Sequence, residues 1–136
     1  MPNTSVTVLT LLIAWALLLV VVMELLRARL VMSGAIAGTE FRPDNANLSP
    51  FMQRLARAQS NCVEGLPIFG GLLVVALVSG RSAVTDGLAL WLFVARLVQS
   101  FAHLASLSTL AVNIRFAAFV VQLAIALFWC WALLAR

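Results

Sequence analysis

Residues Val6 to Met23 run for 18 positions without a charge, VTVLTLLIAWALLLVVVM. About 20 apolar residues are needed for a helix to cross the hydrocarbon core of a bilayer, so this run already reads as a membrane span. The rest of the chain agrees. Of its 136 residues, 63% are hydrophobic and 10% are charged, and the mean hydropathy is +1.06. Soluble domains carry about a quarter charged residues. A chain this poor in polar side chains cannot cover a soluble globule, and lipid is its expected solvent.

The charges that remain are unevenly placed. The net charge is +4, every basic residue is arginine, and there is no lysine. The arginines stand at the ends of apolar segments or singly inside them. They form no basic face of the kind a nucleic-acid-binding module needs, so nucleic acid is excluded as a partner. No Lys or Arg precedes the first apolar run, whereas Arg27 and Arg29 follow it. A secretory signal has the opposite order. The segment is expected to be a retained transmembrane helix whose N-terminus faces away from the cytoplasm.

The pattern predicts an all-α integral membrane four-helix bundle, one domain over residues 1–136, with helices at about 5–31, 50–79, 84–108 and 111–135. The polar stretch 33–50, SGAIAGTEFRPDNANLSP, reads as a loop. Ser49-Pro50 is a helix start, with serine as N-cap and proline where its missing N–H costs nothing. In the second helix only Leu66 to Val78 is continuously apolar, and Pro67 removes a backbone hydrogen bond within it. Arg27, Arg29, Arg42, Arg54 and Arg57 flank the first connection and Arg115 the third, while Arg81 and Arg136 lie on the other side. By the positive-inside rule, the first and third connections face the cytoplasm and both termini face away from it. Cys62 and Cys130 fall inside helices without disulfide or metal-site spacing, and both read as small apolar packing residues. No metal site is expected.

Ionisable residues at membrane depth are costly and normally face the protein interior. Arg57, Asn61 and Glu64 share one helical face, which Arg54 extends. On the third helix, Arg96 and His103 share a face, with Gln99 and Ser100 beside them. The fourth opens with Asn113 and Arg115, and Gln122 follows on the side of Arg115. The three stripes are expected to converge at one depth, near the cytoplasmic face. They gather several arginines around a single acid, Glu64. This suits a small anion that also carries an ammonium group: arginines take carboxylates in bidentate fashion and Glu64 takes the amine. The alternative is structural, with Arg57 and Glu64 as an ion pair that joins helices and Arg54 and Arg115 reaching for headgroups.

RAQSNCVEGLPIF, residues 57–69, resembles the helix-two signature of the MAPEG superfamily, membrane-associated proteins in eicosanoid and glutathione metabolism. That signature runs Arg-Ala-His-x-Asn-x-x-Glu and then an apolar-Pro-Phe stretch; Arg57, Ala58, Asn61 and Glu64 match, with Pro67 and Phe69 close to their places. ARLVQSFAHL (95–104) and NIRFAAFVVQ (113–122) resemble the family's third helix and the start of its fourth. The resemblance, to a bacterial-type member, implies a homotrimer in the bacterial inner membrane with glutathione bound between subunits near the cytoplasmic face. It implies that Arg57, Asn61, Glu64 and Arg96 hold glutathione as co-substrate and that Arg115 stabilises the thiolate; Arg54 and Gln99, beside them on the same stripes, are expected to join the glutathione site, and His103 to donate a hydrogen bond to the sulfur or a substrate oxygen. A lipophilic second substrate would arrive from the bilayer, and membrane lipids are the remaining partners. Gln59 stands where the signature has histidine, and His103 where many members have tyrosine.

The implied activity is a glutathione-dependent transferase or peroxidase acting on lipophilic electrophiles or hydroperoxides. The alternative is a non-catalytic member that binds lipid or a protein partner. A small four-helix drug/proton antiporter is a third reading. It needs a carboxylate in the middle of helix one, whereas Glu24 lies at that helix's end beside Arg27.

Overall fold

The structure, a computed structural model, describes residues 3–135. Arg136, counted above among the terminal-side charges, lies outside the described residues. Four helices follow in order: α1 (Thr4–Met32), α2 (Pro50–Val78), α3 (Ala83–Ala105) and α4 (Thr109–Leu134). Each is long and apolar enough to cross a membrane. Cross-helix bonds fix their directions. Ser5 meets Asp86 and Trp15 meets Ser100, so α1 and α3 run parallel. Arg54 meets Leu104 and Cys62 meets Ser100, so α2 is antiparallel to α3. Arg115 meets His103 and Gln122 meets Gln99, so α4 is antiparallel to α3 as well.

Each helix end has a local cause. Asn3 caps α1 by accepting from the Ser5 N–H at 2.9 Å. Ser49 caps α2 by accepting from Met52 at 3.3 Å, with Pro50 next. At the end of α2, Gly80 takes φ +68°, and the Arg81 N–H reaches back to the Ala76 carbonyl at 2.7 Å. This left-handed turn closes the helix, and only glycine adopts it at low cost. α3 ends at Ala105, short of the expected residue 108. Ser106 is extended there, its Oγ accepts from the Ser108 N–H at 2.9 Å, and Ser108 in turn caps α4 by accepting from Ala111 at 3.2 Å. Serines that bond the nearby backbone compete with helix continuation.

Two apolar clusters fill the bundle. One joins Val8, Leu12, Phe69, Leu73, Leu92, Ile125 and Trp129 from all four helices. The other joins Ala16, Leu19, Met23 on α1 to Met52, Leu55, Ala56, Ala58 and Cys62 on α2. Lipid is as apolar as leucine, so close packing rather than water exclusion holds such helices together. The small residues on α2 serve that approach. Outside the core, Leu25, Trp91, Phe116, Leu127 and Trp131 are among the large apolar side chains left exposed.

The helices α1 and α2 have 29 residues each, about 43 Å at 1.5 Å per residue, and exceed a ~30 Å hydrocarbon core. The connection between them is ordered by Asn45, which is fully buried at φ +55°. Its Oδ1 accepts from Arg27 Nη2 at 2.6 Å, and its Nδ2 donates to the Met52 carbonyl at 2.7 Å. Arg27 also donates to the Arg42 carbonyl at 3.0 Å and lies over the Phe41 ring. The long loop is thereby tied to both helices it joins.

Candidate functional site

The polar stripes meet pairwise, with α3 in the middle. Toward α2, Arg96 Nη1 donates to Asn61 Oδ1 at 2.6 Å, and Arg54 Nε donates to the Leu104 carbonyl at 2.9 Å. Toward α4, Gln122 Nε2 donates to Gln99 Oε1 at 2.8 Å, and Arg115 Nη1 donates to His103 Nδ1 at 3.1 Å. Arginine has no acceptor, so His103 Nδ1 must accept, and its ring hydrogen sits on Nε2. Toward α1, Trp15 Nε1 donates to Ser100 Oγ at 2.9 Å, and that oxygen lies 3.3 Å from Cys62 Sγ. From Arg96 to His103 the layer rises seven residues along α3, about 10 Å.

Arg96 occupies the seam between the two apolar clusters. It is 2% exposed, and its guanidinium lies over the Phe69 ring at 5.5 Å. Gly65 makes room for it: a Cβ there would fall 2.5 Å from Arg96 Nη2. No carboxylate pairs with it. Among the described residues the one salt bridge is Arg27–Glu24, far from this layer in sequence. A buried charge without a counter-charge is costly, so Arg96 is held against its own desolvation by one amide, one aromatic face and its packing.

On the outer face of α2 lies a groove of about 420 Å³ whose polar lining includes Arg54, Arg57, Asn61 and Glu64, with Asp44 and Gln53 toward the long loop. Arg57 and Glu64 are exposed and make no hydrogen bond or ion pair with any described residue. Within this chain Arg57 and Glu64 do not pair with each other. The volume falls within the range of small-molecule sites. The stripe from Arg54 to Glu64 spans ten residues, about 15 Å of helix, enough for an extended tripeptide of about 10 Å. A ligand with two carboxylates and an ammonium finds arginines and an acid along one wall.

The other expected residues are placed elsewhere. His103 and Arg115 do not line this groove within the single chain. Gln99 is 3% exposed and engaged by Gln122. Asn113 is exposed. Sequence reasoning missed the groove's Asp44 and Gln53, and it missed Gly65. Gly65 had a signal, a glycine one residue after Glu64 on the arginine-facing helix, but its meaning needed the position of α3.

No curated protein and no solved structure matches this chain. The sequence model of the MAPEG family matches residues 5–135, nearly the whole chain, and that match joins the four-helix membrane bundle described here to its helix-two signature: the chain belongs to the MAPEG family, membrane proteins of eicosanoid and glutathione metabolism.

Proposed function

We propose that the protein is a glutathione-dependent transferase or peroxidase that acts on lipophilic electrophiles or hydroperoxides, with the α2 groove as its glutathione site. The observation that carries this reading is the unpaired set along the groove: Arg57 and Glu64 exposed without partners, beside Arg54 and Asn61. Arg54 and Arg57 would take the two carboxylates of glutathione, and Glu64 its ammonium. Asn61 would present its amide while Arg96 holds it from behind at 2.6 Å. Gln99 would contribute by fixing α3 against α4 rather than by touching the ligand.

In this reading the working unit is a homotrimer in the inner membrane, with the groove near the cytoplasmic face. A second copy closes the open side of the groove and brings its α4 start, with Arg115, toward the sulfur. Charge-assisted donors aimed at a developing anion are among the stronger catalytic devices, and a cation near a thiol favours the thiolate. His103 serves by holding Arg115 through Nδ1. The lipophilic substrate approaches from the bilayer along exposed side chains such as Leu107 and Phe116.

The test is the ultraviolet absorbance of bound glutathione thiolate in detergent, together with a chemical cross-link ladder. A thiolate band that Arg115→Ala removes, on a protein that cross-links to a trimer, supports the reading. A dimer ladder, or a protein that binds no glutathione, contradicts it.

A further inference from the structure

Arg96 has two amino groups with different fates. Nη1 is bonded to Asn61 at the groove wall, whereas Nη2 is buried without a partner among the described residues. Beside Nη2, the helices α1 and α2 enclose a second cavity of about 10 Å³, which Arg96 lines together with Trp15, Cys62, Gly65 and Leu66. That is room for one water-sized group. Its walls Trp15, Gly65 and Leu66 are half-buried, so the cavity reaches toward the apolar surface between α1 and α2. The Cys62 thiol stands on the inner wall, 6% exposed, with Ser100 Oγ 3.3 Å from its sulfur.

We propose that Cys62 is a site of oxidation by apolar hydroperoxides, and that this cavity receives the transferred oxygen as a cysteine sulfenic acid facing Arg96 Nη2. The sulfur attacks the terminal peroxide oxygen. An S–O bond forms and the O–O bond breaks. The departing alkoxide takes up the thiol proton and leaves as the alcohol, so that Cys62–SH and ROOH become Cys62–SOH and ROH. Sulfur gives up one electron pair and the hydroperoxide gains it. The unpartnered Nη2–H is a preorganised donor for charge that develops on oxygen in a site of low dielectric. The apolar approach between α1 and α2 selects a hydroperoxide that partitions into lipid. Glutathione takes no part in this step, which uses the far side of Arg96 from the groove.

The experiment treats the purified, detergent-solubilised protein with cumene hydroperoxide in the absence of glutathione, traps sulfenic acid with dimedone, and quantifies the adduct at Cys62 and Cys130 by peptide mass spectrometry. Cys130 is exposed and serves as the internal reference. Exposure alone would favour Cys130; on the proposal, the Arg96 Nη2–H donor beside the cavity outweighs that, and Cys62 is expected to label at least about tenfold faster than Cys130. Gly65→Ala places a methyl group against Nη2 and into the cavity, and should slow Cys62 labelling by about tenfold while leaving Cys130 unchanged. Cys130 labelling as fast as Cys62 in the unmodified protein overturns the proposal, however Gly65→Ala folds. A folded Gly65→Ala protein with undiminished Cys62 labelling also overturns it, as does faster labelling by hydrogen peroxide than by cumene hydroperoxide.

Discussion

At the end of the bundle where α1 and α3 begin, the polar side chains find partners within the chain. Asp86 Oδ1 accepts from both the Ser5 N–H at 2.9 Å and the Ser5 hydroxyl at 2.6 Å, and Asn3 Nδ2 donates to Ser82 Oγ at 2.7 Å. Arg81 donates to the carbonyls of Ala132, Leu133 and Ala135 at the end of α4. Along the groove, Arg57 and Glu64 have no such partners among the described residues, and in the core behind it neither does Arg96 Nη2. Both regions place charge beside apolar helices. The difference lies in satisfaction. An acid at the start of α1 and a cation at the end of α4 complement the helix dipoles and free backbone groups, which stabilises the bundle. A charge left unmatched in the core costs stability, and the exposed, unmatched charges at the groove are what the proposed reading assigns to a ligand.

The largest test of that contrast is removal of the unmatched charges. Arg57→Ala or Glu64→Ala should weaken glutathione binding by at least about tenfold, since hydrogen bonds to charged groups contribute roughly 1.5–3 kcal/mol. Their unfolding midpoints without ligand should stay near that of the parent, because neither side chain is bonded in the chain. Unchanged affinity in both variants would remove the groove as the glutathione site. At the paired end the pattern should invert. Asp86→Ala should destabilise the fold by about 2 kcal/mol, from two lost bonds to a carboxylate, and leave the glutathione affinity within a factor of two or so of the parent. Denaturation monitored with and without ligand separates the two effects.

A smaller effect sharpens the comparison in the core. Gln122→Leu alone leaves Gln99 buried without its donor and should cost about 1–2 kcal/mol. Gln99→Leu with Gln122→Leu removes both partners and should recover most of that loss, as a double-mutant cycle would show. A double variant as damaged as the sum of the singles would mean that the amide pair does not act as a unit. Smaller still, Ser108→Ala removes the α4 cap and should cost about 1 kcal/mol, with fraying confined to the turn after Ser106.

Much of the fold was legible because its signals are local. The four apolar runs, the Ser49-Pro50 start and the shared face of Arg57, Asn61 and Glu64 depend only on residues a few positions apart. α3 ends at Ala105, three residues before the expected position, where Ser106 turns extended. Other features were illegible because they depend on residues distant in sequence. Nothing near Asp86 announces that it caps α1 across 81 positions, and nothing near Asn45 announces that Arg27 will close on it. Gln99 read as a ligand residue from its neighbours, and only the register of α4 gives it Gln122. The pairing of His103 with Arg115 needed that same register.

The most direct measurement is thermal unfolding of the detergent-solubilised protein with and without millimolar glutathione, with glutamate and cysteine as controls. A ligand that binds only the folded state raises the midpoint by mass action. A clear upward shift with glutathione, and little with either control, is the predicted result. No shift with glutathione, or an equal shift with glutamate alone, would contradict a glutathione site on α2.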